Sequence, residues 1–350
     1  MKISTMLFYI FCFCGIYFLS SCKNNPINDG GSTQVGEWQY LGLGNESITS
    51  IAIDPSNENI IYAGSSSDFS SGTSGKLFRS TDGGKSWDIL ISGSNARFNA
   101  IIIDPINTST VYAANGSIIK SVNAGLTWTD ITGGIHTDND TRAYALAMDP
   151  KNSNVLYAGT GGFFGGGLYK STDAGKDWFW TGDSLKDGVT SIEIDPNNSN
   201  TLFVGTANRT ILWKSTDTGL HWKQTGLLGK GLVYSILFNS SVSIIIFAAT
   251  ISNGIWESMD NGSTWQTFNK GLPDSSGAVK ITRNTDTKIL YAIETKGDEG
   301  GIYKREPTGI WEKIGINNLS SSSFYYSDLK INNDNNYLYF GNKGIYRYKL

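Results

Sequence analysis

Two sets of side chains in this sequence, one on loops and one on strands, carry enough charge or aromatic surface to do chemistry. Arg97 and Arg142 each stand seven residues before an Asp, Asp104 and Asp149, at the entrance to a predicted strand. Two guanidinium groups in matching places could grip a carboxylate or sulfate through paired N–H donors, or could equally be solvated. Arg209 lies on another predicted loop, Asn208 to Thr210. His136-Thr-Asp138-Asn-Asp140 precedes Arg142 and offers oxygen ligands, but its spacing matches no EF-hand loop and no metal is expected. Phe163 and Phe164 stand among glycines (GGFFGGG), an arrangement suited to stacking on a sugar, to a protein contact, or to folding back over a neighbouring strand. The glycines are no phosphate loop, because a strand follows and the Lys-Ser/Thr pair is missing. Asp298 and Glu299 are loop acids of the kind a glycosidase sets at about 5–9.5 Å across its scissile bond. Nothing in the sequence aims two such acids at each other.

A second set sits on strands. The middle residue of a recurring apolar strand is Ala52, Ile102, Ala147 and Leu237 in four copies but Glu193, Lys280 and Lys330 in three. A charge there must reach water or a partner. Either a water-filled channel crossed by ion pairs or a polar site at its mouth would serve.

The elements that must position these residues follow from repetition. STDGGKSW (Ser80 to Trp87) returns as SVNAGLTW, STDAGKDW, STDTGLHW and SMDNGSTW, and once more in decayed form as KREPTGIW (Lys304 to Trp311). The fixed positions include Asp82, Asn123, Asp173, Asp217 and Asp260, and Trp87, Trp128, Trp178, Trp222 and Trp265. The carboxylate is expected to accept N–H groups one and two residues on, the Gly to take φ > 0, and the Trp to bury on the order of 150–250 Å² between sheets. A period of 41 to 50 residues between copies fits four-stranded blades. Within each period a strand running into Asp-Pro (AIIIDP, ALAMDP, SIEIDP) and a second strand (IIYAG, LYAGT, LFVGT, LYFGN) recur.

These motifs resemble the Asp box, or BNR repeat, of sialidases, sortilin-type receptors, xyloglucan-active hydrolases and photosystem II assembly factors. The resemblance implies an all-β, seven-bladed β-propeller of four-stranded antiparallel blades. The chain ends after a third strand, whereas Glu37 to Leu41 looks like the strand that follows each box. The two are expected to pair and close the ring, which removes an exposed sheet edge. The box turns and Asp-Pro turns should share one rim, and ligands should bind among the irregular loops of the other. For activity the resemblance offers less: the sialidase Arg-Ile-Pro signature is absent and seven arginines in all make a triad hard to assemble. Xyloglucan hydrolases form their cleft between two propellers, and this chain has length for one.

The N-terminus reads as a lipoprotein signal over residues 1–21. Lys2 is followed by an apolar run, Leu7 to Leu19, and by Leu19-Ser20-Ser21-Cys22, which resembles the bacterial lipobox with Cys22 as the acylated residue. Residues 22–36, rich in Asn, Gly and Ser, form a flexible linker, and 37–350 form the propeller. Of three cysteines, Cys12 and Cys14 fall in the signal, so no thiol remains for catalysis or a disulfide. The protein is expected to be a monomer in the cell envelope, held to the membrane through Cys22 and placed at the outer membrane by the lack of Asp after that residue. A formal charge of −3 gives no basic face for nucleic acid. The expected function is non-catalytic binding of a protein or glycan on the loop face without a cofactor. A glycoside hydrolase of sialidase or xyloglucanase type is the alternative.

Overall fold

The computed structural model describes residues 36–67, 74–93, 96–135, 142–162, 165–181, 185, 187–207, 211–229, 231–239, 244–274, 276–295, 300–315 and 327–350. Every regular element among them is a β-strand. β1 (Trp38–Ile53), β2 (Ile61–Ser66), β3 (Gly75–Ser80) and β4 (Asp88–Gly93) begin the chain. Five four-stranded antiparallel sheets follow. They are β5–β8 (Ala100–Ile103, Val111–Ala114, Ile118–Ser121, Thr129–Asp130) and β9–β12 (Arg142–Asp149, Asn152–Gly162, Gly165–Ser171, Phe179–Trp180). Next come β13–β16 (Val189–Ile194, Leu202–Thr206, Ile211–Ser215, Lys223–Leu227) and β17–β20 (Val233–Phe238, Ile246–Thr250, Gly254–Ser258, Gln266–Thr267). The last is β21–β24 (Ala278–Arg283, Leu290–Glu294, Gly301–Arg305, Glu312–Gly315). β25 (Asp328–Ile331) and β26 (Tyr337–Lys349) end the chain and join β1–β4 in one six-stranded sheet.

That sheet brings the two ends together. Trp38, Gln39 and Tyr40 pair with Tyr348, Arg347 and Tyr346, after which β1 shifts register at Gly42 and runs on to pair with β2. Each sheet's first strand packs beside the next sheet's: β1 by β5, β5 by β9, β9 by β13, then β17, β21 and β25, which lies again beside β1. Most of the apolar clusters straddle successive sheets. One joins Tyr62 and Leu77 to Phe98 and Val111 of the next sheet, while another, within the six-stranded sheet, joins Ile48 and Phe78 near the start of the chain to Tyr339 and Ile345 at its end.

Local chemistry explains the regularity. Second strands are buried along nearly their whole length while β8, β12 and β20 are exposed, so only the second strands read as unbroken apolar runs. The Gly in IIYAG, LYAGT, LFVGT and LYFGN leaves room for a side chain packed over the strand: a Cβ on Gly64, Gly159 or Gly341 would lie 2.4–2.5 Å from Phe98, Val189 or Ile48. Asp54, Asp104, Asp149 and Asp195 each accept the N–H two residues on, which sets the Asp-Pro turn.

The repeated eight-residue turn differs in detail from expectation. Ser80 Oγ accepts the N–H groups of Asp82 and Gly84, while Asp82 Oδ1 accepts the N–H of Ser86, four residues on, at 2.9 Å. The carboxylate therefore spans the whole turn, because the hydroxyl two residues before it already holds the nearer N–H groups. The same bonds recur at Asp173, Asp217 and Asp260, and Asn123 substitutes with its amide oxygen. Positive φ is also not confined to Gly: Ala124, Ala174, Thr218 and Asn261, each one residue before the fixed Gly, have φ of 53° to 60°. Of the five turn tryptophans, Trp178 is 4% exposed and buried. Trp87, Trp128, Trp222 and Trp265 are half-buried, whereas Trp311 of the decayed copy is only 1% exposed.

Candidate functional site

The first strands of all the sheets line one central cavity of about 740 Å³. Counting back from the turn residues Asp54, Asp104, Asp149, Asp195, Asn239, Asn284 and Asn332 gives the levels of its wall. Two residues before them stand Ala52, Ile102, Ala147, Glu193, Leu237, Thr282 and Lys330, each opposite an aromatic residue of the second strand. Lys280 is thus not at the expected level. The sheet β21–β24 has Thr282 there, and Lys280 lies two residues nearer the loop rim, level with Asp328.

That displacement puts Lys280 against a partner the sequence reading missed. Lys280 Nζ is 3.2 Å from Asp328 Oδ1, and Asp328 Oδ2 accepts the N–H of Ile51 at 2.8 Å. One buried carboxylate therefore ties β21, β25 and β1 together. Burial alone would raise the Asp328 pKa, but Lys280, Lys330 and the two hydrogen bonds outweigh it and hold the group below the usual carboxylate range. Glu193 is the opposite case. Burial pushes it up to about 7, and the charges of Lys330 and Lys280 only partly offset that. Lys330 is exposed to the cavity. The cavity thus holds a neutral or titrating acid, an ionised acid and two cations. The signal for Asp328 was available: it stands four residues before Asn332, as Lys280 stands four before Asn284.

On the loop rim the structure separates the two arginines onto different sheets. Arg97 bridges to Ser66, and Arg142 opens β9 opposite Gly161. They do occupy corresponding places, since the residue after each, Phe98 or Ala143, hydrogen-bonds back to the preceding sheet at Ser65 or Gly116. Arg142 is exposed and Arg97 half-buried. Glu46, which sequence reasoning passed over, is held by Lys76 at 2.6 Å and Ser65 at 3.1 Å nearby. Cys22, His136, Asp138, Asp140, Phe163, Phe164, Arg209, Asp298 and Glu299 lie outside the described residues. No group of three or more His, Cys, Asp or Glu suited to a metal occurs among the described residues. His221 is part of a repeated turn, with Nδ1 2.6 Å from Asp217 Oδ2.

Solved structures resolve what this arrangement of sheets is. YCF48 bound to a D1 peptide superposes with a TM-score of 0.64 at 13% identity, over 90% of this chain and 96% of that one. An ancestral GH74 enzyme superposes with a TM-score of 0.67 at 18% identity, and the GH74 enzyme of Niastella koreensis with 0.61 at 20%. The fold is a β-propeller. Its sheets are blades, and their first strands enclose the central cavity. The alignments cover 90% and 78% of this propeller but 46% and 48% of the two GH74 enzymes, so the chain spans about half their length. No family model matches the sequence, and no curated protein matches it either.

Proposed function

We propose that this chain is a lipid-anchored envelope protein whose Asp-box propeller binds a partner on its loop face and does no chemistry of its own. The propeller is read as seven-bladed and closed, with the fourth strand of the last blade supplied by Trp38 to Leu41. The pairing of Trp38 with Tyr348 supports this, as does the Trp38 indole, which donates to Ile314 O of the preceding blade just as Trp178 donates to Ile131 O. The observation that carries the non-catalytic reading is the commitment of Asp328. It is 3% exposed, and its oxygens accept from Lys280 and from the N–H groups of Ile51 and Leu329, so it serves as a link between strands. A protein partner is favoured over a glycan because YCF48, which superposes along nearly its entire length, was solved with a peptide.

One observation favours hydrolysis as a second reading. Glu193 and Asp328 have pKa values driven apart, one towards neutrality and one below the usual range, which is the division of labour an acid–base pair needs. Peptide and glycan arrays probed with the full chain test the main reading. Specific binding that weakens at least tenfold in the Arg97→Ala, Arg142→Ala double variant is expected, and binding unaffected by that change would move the site off the loop face. Membrane fractionation of Cys22→Ser tests the anchor, with release from the membrane as the expected result.

A further inference from the structure

The rim opposite the loops, formed by the repeated turns, carries an unexplained property. In the five blades with a full eight-residue turn the two kinds of turn are joined by hydrogen bonds, as where Ala124 N–H meets Ser109 O, Thr218 N–H meets Asn200 O and Asn261 N–H meets Ile244 O. They therefore form one rim. Of the large hydrophobic residues exposed among the described residues, most are on it: Ile106, Leu126, Leu220, Ile244, Met259 and Ile310, with exposures from 43% to 75%. A turn whose hydrogen bonds are satisfied internally gains nothing from an apolar side chain at its tip, yet such tips recur around this rim.

The path of the chain indicates what they face. Gly36 N–H bonds to Lys349 O and Leu350 N–H to Asn336 O, beside the last Asp-Pro-type turn, so the segment leading to Cys22 leaves the domain at this same rim. We propose that the turn rim rests on the lipid leaflet that holds the anchor, with its apolar tips among the headgroups and acyl chains, so that the loop face points away. This rests on the lipoprotein reading of Cys22. Fourteen residues of random coil have a root-mean-square reach of about 20 Å, and a six-residue strand alone is about 20 Å long. With the loop face turned to the membrane, most of that reach would go to passing the height of the blade. The exposed charges on the rim are of both signs, Lys85, Lys151 and Lys176 against Asp173, Asp177 and Asp334, so the contact is apolar and indifferent to headgroup charge.

The test uses the full chain, lipidated in cells and reconstituted in phosphatidylcholine vesicles with or without brominated acyl chains. A fluorophore is attached at Leu126→Cys, at Leu220→Cys or, on the loop face, at Lys343→Cys. Bromine is expected to quench the first two at least twofold and to leave the third unchanged, with the same result when anionic lipid is added. Unquenched labels at 126 and 220 on protein that floats with the vesicles would overturn this orientation alone. Protein that does not float at all would overturn the anchor and the orientation with it.

Discussion

Glu193 and Ala174 are each held where their chemistry alone would not put them. Glu193 titrates near 7 in the fold against about 4.3 in an unfolded chain. The unfolded state therefore loses its proton first, and stability falls as pH rises from about 4.3 to 7, with the full cost present above that window. Asp328 acts in the other direction and at lower pH, because its depressed pKa contributes stability that is lost only in acid. Glu193→Gln should thus leave melting at pH 4.5 nearly unchanged and raise stability at pH 8 by on the order of 2–3 kcal/mol. Parallel melting curves for the two proteins across that range would show that the acid is not buried. Ala174 has φ of 58°, where an L side chain costs about 1–2 kcal/mol. Ala174→Gly should recover part of this, about 1 kcal/mol, in chemical denaturation, and a loss of stability would mean the turn does not need the left-handed conformation.

At the scale of elements, the blades are latched by one device used repeatedly. In four of the five copies the residue just before the first Ser of the turn is a cation that reaches the next blade's turn. Arg79 donates to Ala124 O at 2.7 Å, Lys120 to Ala174 O at 2.9 Å, Lys170 to Thr218 Oγ1 at 2.8 Å and Lys214 to Asn261 O at 2.9 Å. The three lysines also lie 5.2–5.6 Å from the ring centres of Tyr112, Tyr157 and Phe203. The left-handed residue is what turns its carbonyl toward the cation, so the strain at Ala174 or Thr218 and the latch are one feature. The device changes at the blade that carries Glu257 in place of Lys. The next turn is the decayed one, and there Arg305 lies over Phe268 at 3.7 Å and faces the Glu257 charge. Lys170→Met should cost about 1–2 kcal/mol in equilibrium unfolding, from a charged hydrogen bond partly replaced by apolar contact. Glu257→Lys should destabilise as well, by setting two cations together at Arg305, and a gain would show that the latch can be restored.

The blade period, the strand order and the shared rim of turns were legible because each repeats, and a repeated Gly or Asp in one frame has one physical task. Lys280 was misplaced because its blade departs from the frame by carrying Thr282 at the usual level, and a single departure has no copy to correct it. Asp328 was overlooked for a related reason, since its partners come from β21 and β1, far away in sequence. The latch cations could have been read from the residue before each box, but their targets are backbone carbonyls, which leave no trace in side-chain patterns.

For the whole molecule, we propose a closed ring tethered to a membrane, with a loop face free to bind. The proposed closure depends on Trp38 to Leu41, whose removal would bare the edge of β26 and unseat Trp87, since its indole donates to Leu41 O at 2.8 Å. A chain lacking residues 37–41 should aggregate and melt well below the parent, and an unaltered monomer would contradict closure by those strands. The central claim is that the propeller binds without turnover, and hydrolysis of xyloglucan oligosaccharides and sialosides by the purified full chain tests it most directly. No product above the no-enzyme control is predicted, from pH 4.5 to 8, alike for the parent, Glu193→Gln and Asp328→Asn. Product that forms with the parent and disappears in Glu193→Gln would contradict it and identify the central cavity as a hydrolase site.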